Sequence, residues 1–124
     1  MKLLLRNPFM IKRCFINILT GLEFLHNNGI IHQDIKPNNF LWFEKSKLLK
    51  IADFGLSSFD VPSTLKEKII CNHLYRSPEV ILEQDFGKPA DIWSTACSFF
   101  EILSGEILFK YKDTSSTIFY HIIY

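Results

Sequence analysis

The chain has 124 residues, 48% of them apolar and 15% aromatic, which is enough for one domain with a substantial core and too few for two. Its net charge is +1 with acids and bases interspersed, so composition offers no electrostatic basis for direct nucleic-acid binding or for a membrane surface. No apolar run approaches a membrane span, and Leu3-Leu4-Leu5 between Lys2 and Arg6 is too short for a signal-peptide core.

In chain order, Asn7-Pro8 has the form of an N-cap followed by proline at the first helical position. Ile11, Phe15, Ile18, Leu22 and Leu25 then recur at spacings of four and three until Asn27-Asn28-Gly29, which predicts an amphipathic helix. Two β-prone runs follow, Phe40 to Phe43 and Leu48 to Ala52, joined by the polar Glu44-Lys45-Ser46-Lys47; they predict a hairpin. Residues 57–74 show no sustained period and hold Ser57, Ser58, Pro62, Ser63 and Thr64, so a long loop of the functional kind is expected. A second helix is expected from Pro89 to Ser104, stopped by Gly105, with apolar residues on nearly every face, as in a helix buried on all sides. Ser115 to Tyr124 has the pattern of the opening of a third helix.

Cys14, Cys71 and Cys97 are odd in number and lack metal-ligand spacing, which points to reduced thiols in a cytoplasmic or nuclear compartment. The chemistry-bearing residues are concentrated elsewhere. His32-Gln33-Asp34-Ile35-Lys36-Pro37-Asn38-Asn39 precedes the hairpin, Asp53-Phe54-Gly55 follows it, and Tyr75-Arg76-Ser77-Pro78-Glu79 and Asp91-Ile92-Trp93-Ser94 come later. A carboxylate that orients a hydroxyl and oxygen ligands that hold Mg²⁺ against phosphates are the parts phosphoryl transfer needs. A hairpin between Asn39 and Asp53 brings its two ends together, so the two groups converge despite lying far apart in the chain.

These four motifs, in this order, resemble the catalytic half of a eukaryotic-type protein serine/threonine kinase, over about residues 8 to 124. The resemblance implies a mainly α fold with a small β-hairpin, a partial large (C-terminal) lobe of the protein kinase fold. It makes residues 1–124 an incomplete kinase domain holding the catalytic loop, the D-F-G motif, the activation segment and the central helix. The glycine-rich loop and the strand lysine of the small lobe have no counterpart in the sequence, so a small lobe from a longer parent chain is expected to complete the machine. By resemblance Asp34 is the catalytic aspartate, Lys36 contacts the transferred phosphate, and Asn39 and Asp53 are the Mg²⁺ ligands; Lys36, Asn39 and Asp53 together hold ATP, and the partner is a protein substrate. The resemblance makes His32 a structural neighbour of Phe54, and Asp91 a buried support for the catalytic-loop backbone. It also pairs Glu79 with an arginine further along the family's domain, where loss of that partner is costly.

Finer wording narrows the group. Tyr75-Arg76-Ser77-Pro78-Glu79 is similar to the group of cyclin-dependent and mitogen-activated kinases. Pro89-Ala90-Asp91-Ile92-Trp93-Ser94-Thr95-Ala96-Cys97 is most similar to the SR-protein kinases, which act on arginine/serine-rich proteins. Gln33 replaces the usual arginine, removing the cation that pairs with a phosphorylated loop, so little dependence on phosphorylating Ser57, Ser58, Ser63 or Thr64 is expected. Asn72 stands where most such kinases carry a threonine bridging Asp34 and Lys36, and its amide is expected to make a similar bond. The alternative reading is a truncated, catalytically inactive kinase-like protein that acts by binding; under either reading the 124 residues alone are expected to be inactive.

Overall fold

The computed structural model describes residues 7–61 and 72–110. Helix α1 spans Pro8–Asn27, and its start is fixed chemically: Asn7 is extended, and its side-chain oxygen accepts the Phe9 N–H at 2.9 Å. That bond satisfies one of the first-turn donors, and proline at the first helical position gives up an N–H that has no helical partner. Asn28 caps the far end, and Gly29 takes a φ of 70°, a left-handed turn that costs glycine least.

The buried seam of α1 is Cys14, Ile18, Leu22 and Leu25. Phe15, expected on that seam, lies on its flank, 38% exposed, with its ring edge-on to Phe99 at 4.7 Å. The inward position one turn before Ile18 belongs to Cys14, about 100° around the helix from Phe15.

Strand β1 (Ile30–Ile31) leads into the His32–Asn39 segment, which closes with a 3₁₀ turn over Pro37–Asn39. Strands β2 (Phe40–Phe43) and β3 (Leu48–Ile51) form the antiparallel hairpin, with Phe40 opposite Ile51 and Phe43 opposite Leu48. Asn17 on α1 accepts the Leu49 N–H at 3.1 Å, and Arg13 donates to the Ser46 carbonyl at 3.1 Å, so the helix holds the hairpin by polar bonds as well as packing. A Cβ on Gly21 would meet the Ile51 side chain at 3.3 Å, closer than ordinary contact; the glycine lets strand and helix approach.

The stretch expected as a loop over 57–74 begins with a strand, β4 (Ser58–Phe59), antiparallel to β1 with Ile31 opposite Ser58 and Ile30 opposite Phe59. Two residues carry no readable period; the pairing comes from a partner far away in sequence. The same stretch ends in a 3₁₀ turn over His73–Tyr75, and its middle lies outside the described residues, as does the helix expected over Ser115 to Tyr124. Helix α2 (Pro78–Ile81) is short, and α3 runs Lys88–Ser104, closed by Gly105 in left-handed geometry with its N–H on the Glu101 carbonyl at 2.8 Å.

Burial of α3 on all sides is not found. Thr95, Cys97, Ser98 and Phe99 are buried, whereas Ile92, Phe100 and Leu103 are 47%, 42% and 49% exposed along another stripe. The buried hydroxyls fit an apolar seat because each bonds to its own helix: Thr95 Oγ1 donates to the Asp91 carbonyl at 2.8 Å, and Ser98 Oγ to that of Ser94 at 2.7 Å. The core between α1, the hairpin and α3 joins Cys14, Ile18, Leu22, Leu25, Ile35, Phe40, Leu49 and Phe99. Among the described residues no helix is long and apolar enough to cross a membrane.

Ile18 is fully buried at the centre of this core, so Ile18→Ala is expected to lower the unfolding free energy by about 2–5 kcal/mol. Phe9, 84% exposed, serves as the control, with Phe9→Ala expected to stay within about 0.5 kcal/mol of the parent. Urea denaturation of the three proteins checks both values.

Candidate active site

The candidate site is built on the segment from His32 to Asn39. Asp34 is buried and accepts from Lys36 Nζ at 2.7 Å and from Asn39 Nδ2 at 2.9 Å, both on Oδ2. The same Asn39 amide nitrogen donates to the Asp34 carbonyl at 2.8 Å. Both contacts are acceptors, which settles the amide orientation: nitrogen faces Asp34, and Oδ1 is left as the group with lone pairs to offer. Among the described residues the side-chain bonds to Asp34 fall on Oδ2.

The hairpin carries out the joining that the sequence requires. Beyond the Phe40–Ile51 pair, the Ala52 N–H reaches the Asn39 carbonyl at 2.9 Å, so the ladder continues to the residue before Asp53. Asp53 itself is exposed and takes a φ of 63°, unusual for a residue with a side chain. Its Oδ1 accepts the Gly55 N–H at 3.3 Å. Two hard oxygen donors, the Asn39 amide oxygen and the Asp53 carboxylate, suit Mg²⁺, which keeps waters and takes few protein ligands.

The backbone of the segment is held from behind by Asp91 in the first turn of α3, which is 1% exposed. Asp91 Oδ2 accepts the His32 N–H at 2.9 Å and His26 Nε2 at 2.8 Å, while Oδ1 accepts the Gln33 N–H at 2.9 Å. The supporting role expected for Asp91 is thus met by two main-chain bonds. His26, in the last turn of α1, was not marked by sequence: a lone histidine near a helix end is an ordinary cap, and its aspartate partner lies 65 positions away.

His32 is fully buried, and its ring lies 5.0 Å from that of Phe54, as expected. Nε2 bonds to the Ala52 carbonyl at 3.1 Å, and Nδ1 accepts the Asp34 N–H at 3.3 Å, an arrangement that requires the neutral Nε2-protonated tautomer. Burial pushes its pKa below the ordinary 6.5, outweighing the attraction of Asp91, the Ala52 bond and the charges of Asp34 and Asp53.

Asn72 does not bridge Asp34 and Lys36. It is exposed, and its Oδ1 accepts the Leu74 N–H at 3.1 Å, capping the His73–Tyr75 turn. A short polar side chain next to a turn finds the local amide first. Tyr75 anchors that turn to α3 at both ends, its hydroxyl donating to Glu101 at 2.6 Å and its carbonyl accepting from Ser94 at 2.6 Å. Burial, reinforced by the Glu101 carboxylate, pushes the Tyr75 phenol well above its ordinary range. Glu79, at the start of α2, is half-buried.

Residues 5–123 match the model of the protein kinase domain. The chain belongs to the protein kinase family. It is 43% identical over 97 residues to the mitogen-activated protein kinase mpkC of Aspergillus oryzae, covering 77% of this chain and 27% of that protein. It is 39% identical over 111 residues to cyclin-dependent kinase 11 of Dictyostelium discoideum, covering 86% and 31%. The mitogen-activated protein kinase hog1 of Aspergillus clavatus is 42% identical over 97 residues, covering 77% and 26%. This kinase chain therefore spans about a quarter to a third of the length of these curated relatives, and the architecture described above is that of a partial large lobe.

Two outcomes follow from the geometry of this kinase site. Asp91→Ala strands a buried cluster of donors and is expected to cost about 3–5 kcal/mol of stability in urea denaturation. For His32 the native state binds fewer protons than the unfolded chain between its lowered pKa and about 6.5. Its contribution is therefore present above about pH 6.5 and is lost as pH falls through the folded value. An NMR titration of its ring is expected to give a midpoint below 6.5.

Proposed function

We propose that this kinase chain carries the catalytic loop and metal-ligand residues of an ATP-dependent protein serine/threonine kinase. The observation that carries the reading is the cluster of Asp34, Lys36 and Asn39, in which the buried Asp34 carboxylate is oriented by two donors on one oxygen. Asp34 Oδ1 takes the proton of the substrate hydroxyl as that oxygen bonds to the γ-phosphorus and the bridging bond to the leaving ADP breaks. Lys36, tied to Asp34 at 2.7 Å and partly exposed, is the ammonium that this reading assigns to the transferred phosphate. Asn39 and Asp53 hold Mg²⁺, which when bound neutralises charge on the phosphates.

Arginine/serine-rich proteins are the substrate class we propose, on the wording of Pro89 to Cys97, within the wider group to which the mitogen-activated and cyclin-dependent relatives belong. Cover for the nucleotide comes, in this reading, from a small lobe of a longer parent chain. Phe54, half exposed beside an apolar groove of about 400 Å³ between α1 and β3, is a surface such a lobe would bury. A cytoplasmic or nuclear setting is proposed from three cysteines without metal-ligand spacing; Cys14 and Cys97 are buried, and burial pushes the Cys97 thiol up to about 11. The binding-only alternative gives no use to the Asp34–Lys36–Asn39 arrangement.

In whatever length of the protein transfers phosphate, Asp34→Asn is expected to lower turnover by about 10²-fold or more while leaving nucleotide affinity nearly unchanged. Undiminished turnover would remove Asp34 from this role. The 124 residues by themselves are expected to bind MgATP only weakly, because Asp53 is exposed and a metal held by two side chains keeps most of its water. Calorimetric titration tests this, and micromolar affinity would contradict it.

A further inference from the structure

The segment following Asp53 is fastened to the segment preceding Asp34 by several bonds. Ser58 and Phe59 pair with Ile31 and Ile30, the Asp60 N–H reaches the Gly29 carbonyl at 2.7 Å, and Ser57 Oγ donates to the His32 carbonyl at 3.3 Å. Asp60 also lies 3.9 Å from Lys88 at the start of α3. Most of these contacts use main chain and would form with many sequences. Between the two segments themselves there is also a bond from side chain to side chain: Gln33 Nε2 bonds to Ser58 Oγ, both partly buried.

Gln33 occupies an unusual position. Its φ is 67°, left-handed geometry that a residue with a long side chain adopts at a cost. Its N–H is fixed by Asp91 on α3, it immediately precedes Asp34, and its side chain crosses to β4. One residue thus connects the buried aspartate of α3, the loop bearing Asp34 and the strand that follows the Asp53 turn. We propose that Gln33 is a positioning residue, a latch that sets the register of the post-Asp53 segment on the Asp34 loop without any phosphate on that segment. The functional meaning of the latch rests on the kinase reading of Asp34 and Asp53, whereas its existence does not.

Backbone amide hydrogen exchange on the whole chain separates the two. Gln33→Asn keeps the amide, tolerates left-handed backbone better than glutamine, and is one methylene too short to reach Ser58. Ser58→Ala removes the other end. Each is expected to speed exchange at residues 58–60 by about fivefold, the worth of one net hydrogen bond, with the amides of Thr95 to Phe99 in α3 unchanged as reference. The double variant is expected to match either single one, because both remove the same bond. Wild-type protection in Gln33→Asn, or single effects that multiply in the double variant, would overturn the latch. Should Gln33→Asn lose the α3 reference as well, Ser58→Ala decides alone: faster exchange at 58–60 supports the latch and unchanged exchange refutes it. None of these readouts depends on phosphate transfer, so failure of the latch and failure of the kinase reading are distinguishable.

Discussion

The buried carboxylate of Asp91 is the constraint on which the site depends. A charged group 1% exposed is costly unless its lone pairs are taken, and here three donors take them: His26 from α1 and the consecutive N–H groups of His32 and Gln33. The two main-chain bonds hold the backbone of the residues just before Asp34. Through Asp91 the core helix α3 and the polar loop become one mechanical unit, while His26 ties α1 into the same junction. Loop residues next to Asp34 are thereby anchored to a helix.

The hairpin is the second device. It spans the separation between Asn39 and Asp53, and its ladder runs past the last strand pair to Ala52, adjacent to Asp53. The two non-glycine residues in left-handed geometry closest to the chemistry, Gln33 and Asp53, belong to the two segments that the hairpin joins. Strained backbone at both places is held by surrounding bonds, from Asp91 at Gln33 and from the Gly55 N–H at the Asp53 side chain. His32 joins the sides, with one ring nitrogen on the Ala52 carbonyl and the other on the Asp34 amide.

Local chemistry made much of this legible in advance. Asn7-Pro8 and Gly105 marked helix ends to within a residue, because caps act on neighbouring backbone. The hairpin strands were readable from two β-prone runs around a polar turn, and α1 from its period, although its inward seam took Cys14 in place of Phe15. What escaped depends on partners distant in sequence. The β1–β4 pair is two residues long, the His26–Asp91 contact spans 65 positions, and Gln33 read only as the loss of an arginine. Asn72 departs from expectation for the opposite reason: the nearby Leu74 amide engages its side chain, and the distant Asp34 is not reached. The continuous apolar character of α3 overstated its burial, since hydropathy records what a face tolerates and not what covers it.

In the proposed function, Asn39 and Asp53 form one metal-nucleotide site beside Asp34. Manganese, which shares the oxygen preference and octahedral geometry of magnesium, is paramagnetic and reports even weak occupancy by broadening nearby NMR signals. Titration of the chain with manganese and ATP should broaden the amides around Asn39 and Asp53 first, before those of the exposed acidic residue Glu106. Uniform broadening over exposed carboxylates, or broadening centred on another part of the surface, would contradict the account.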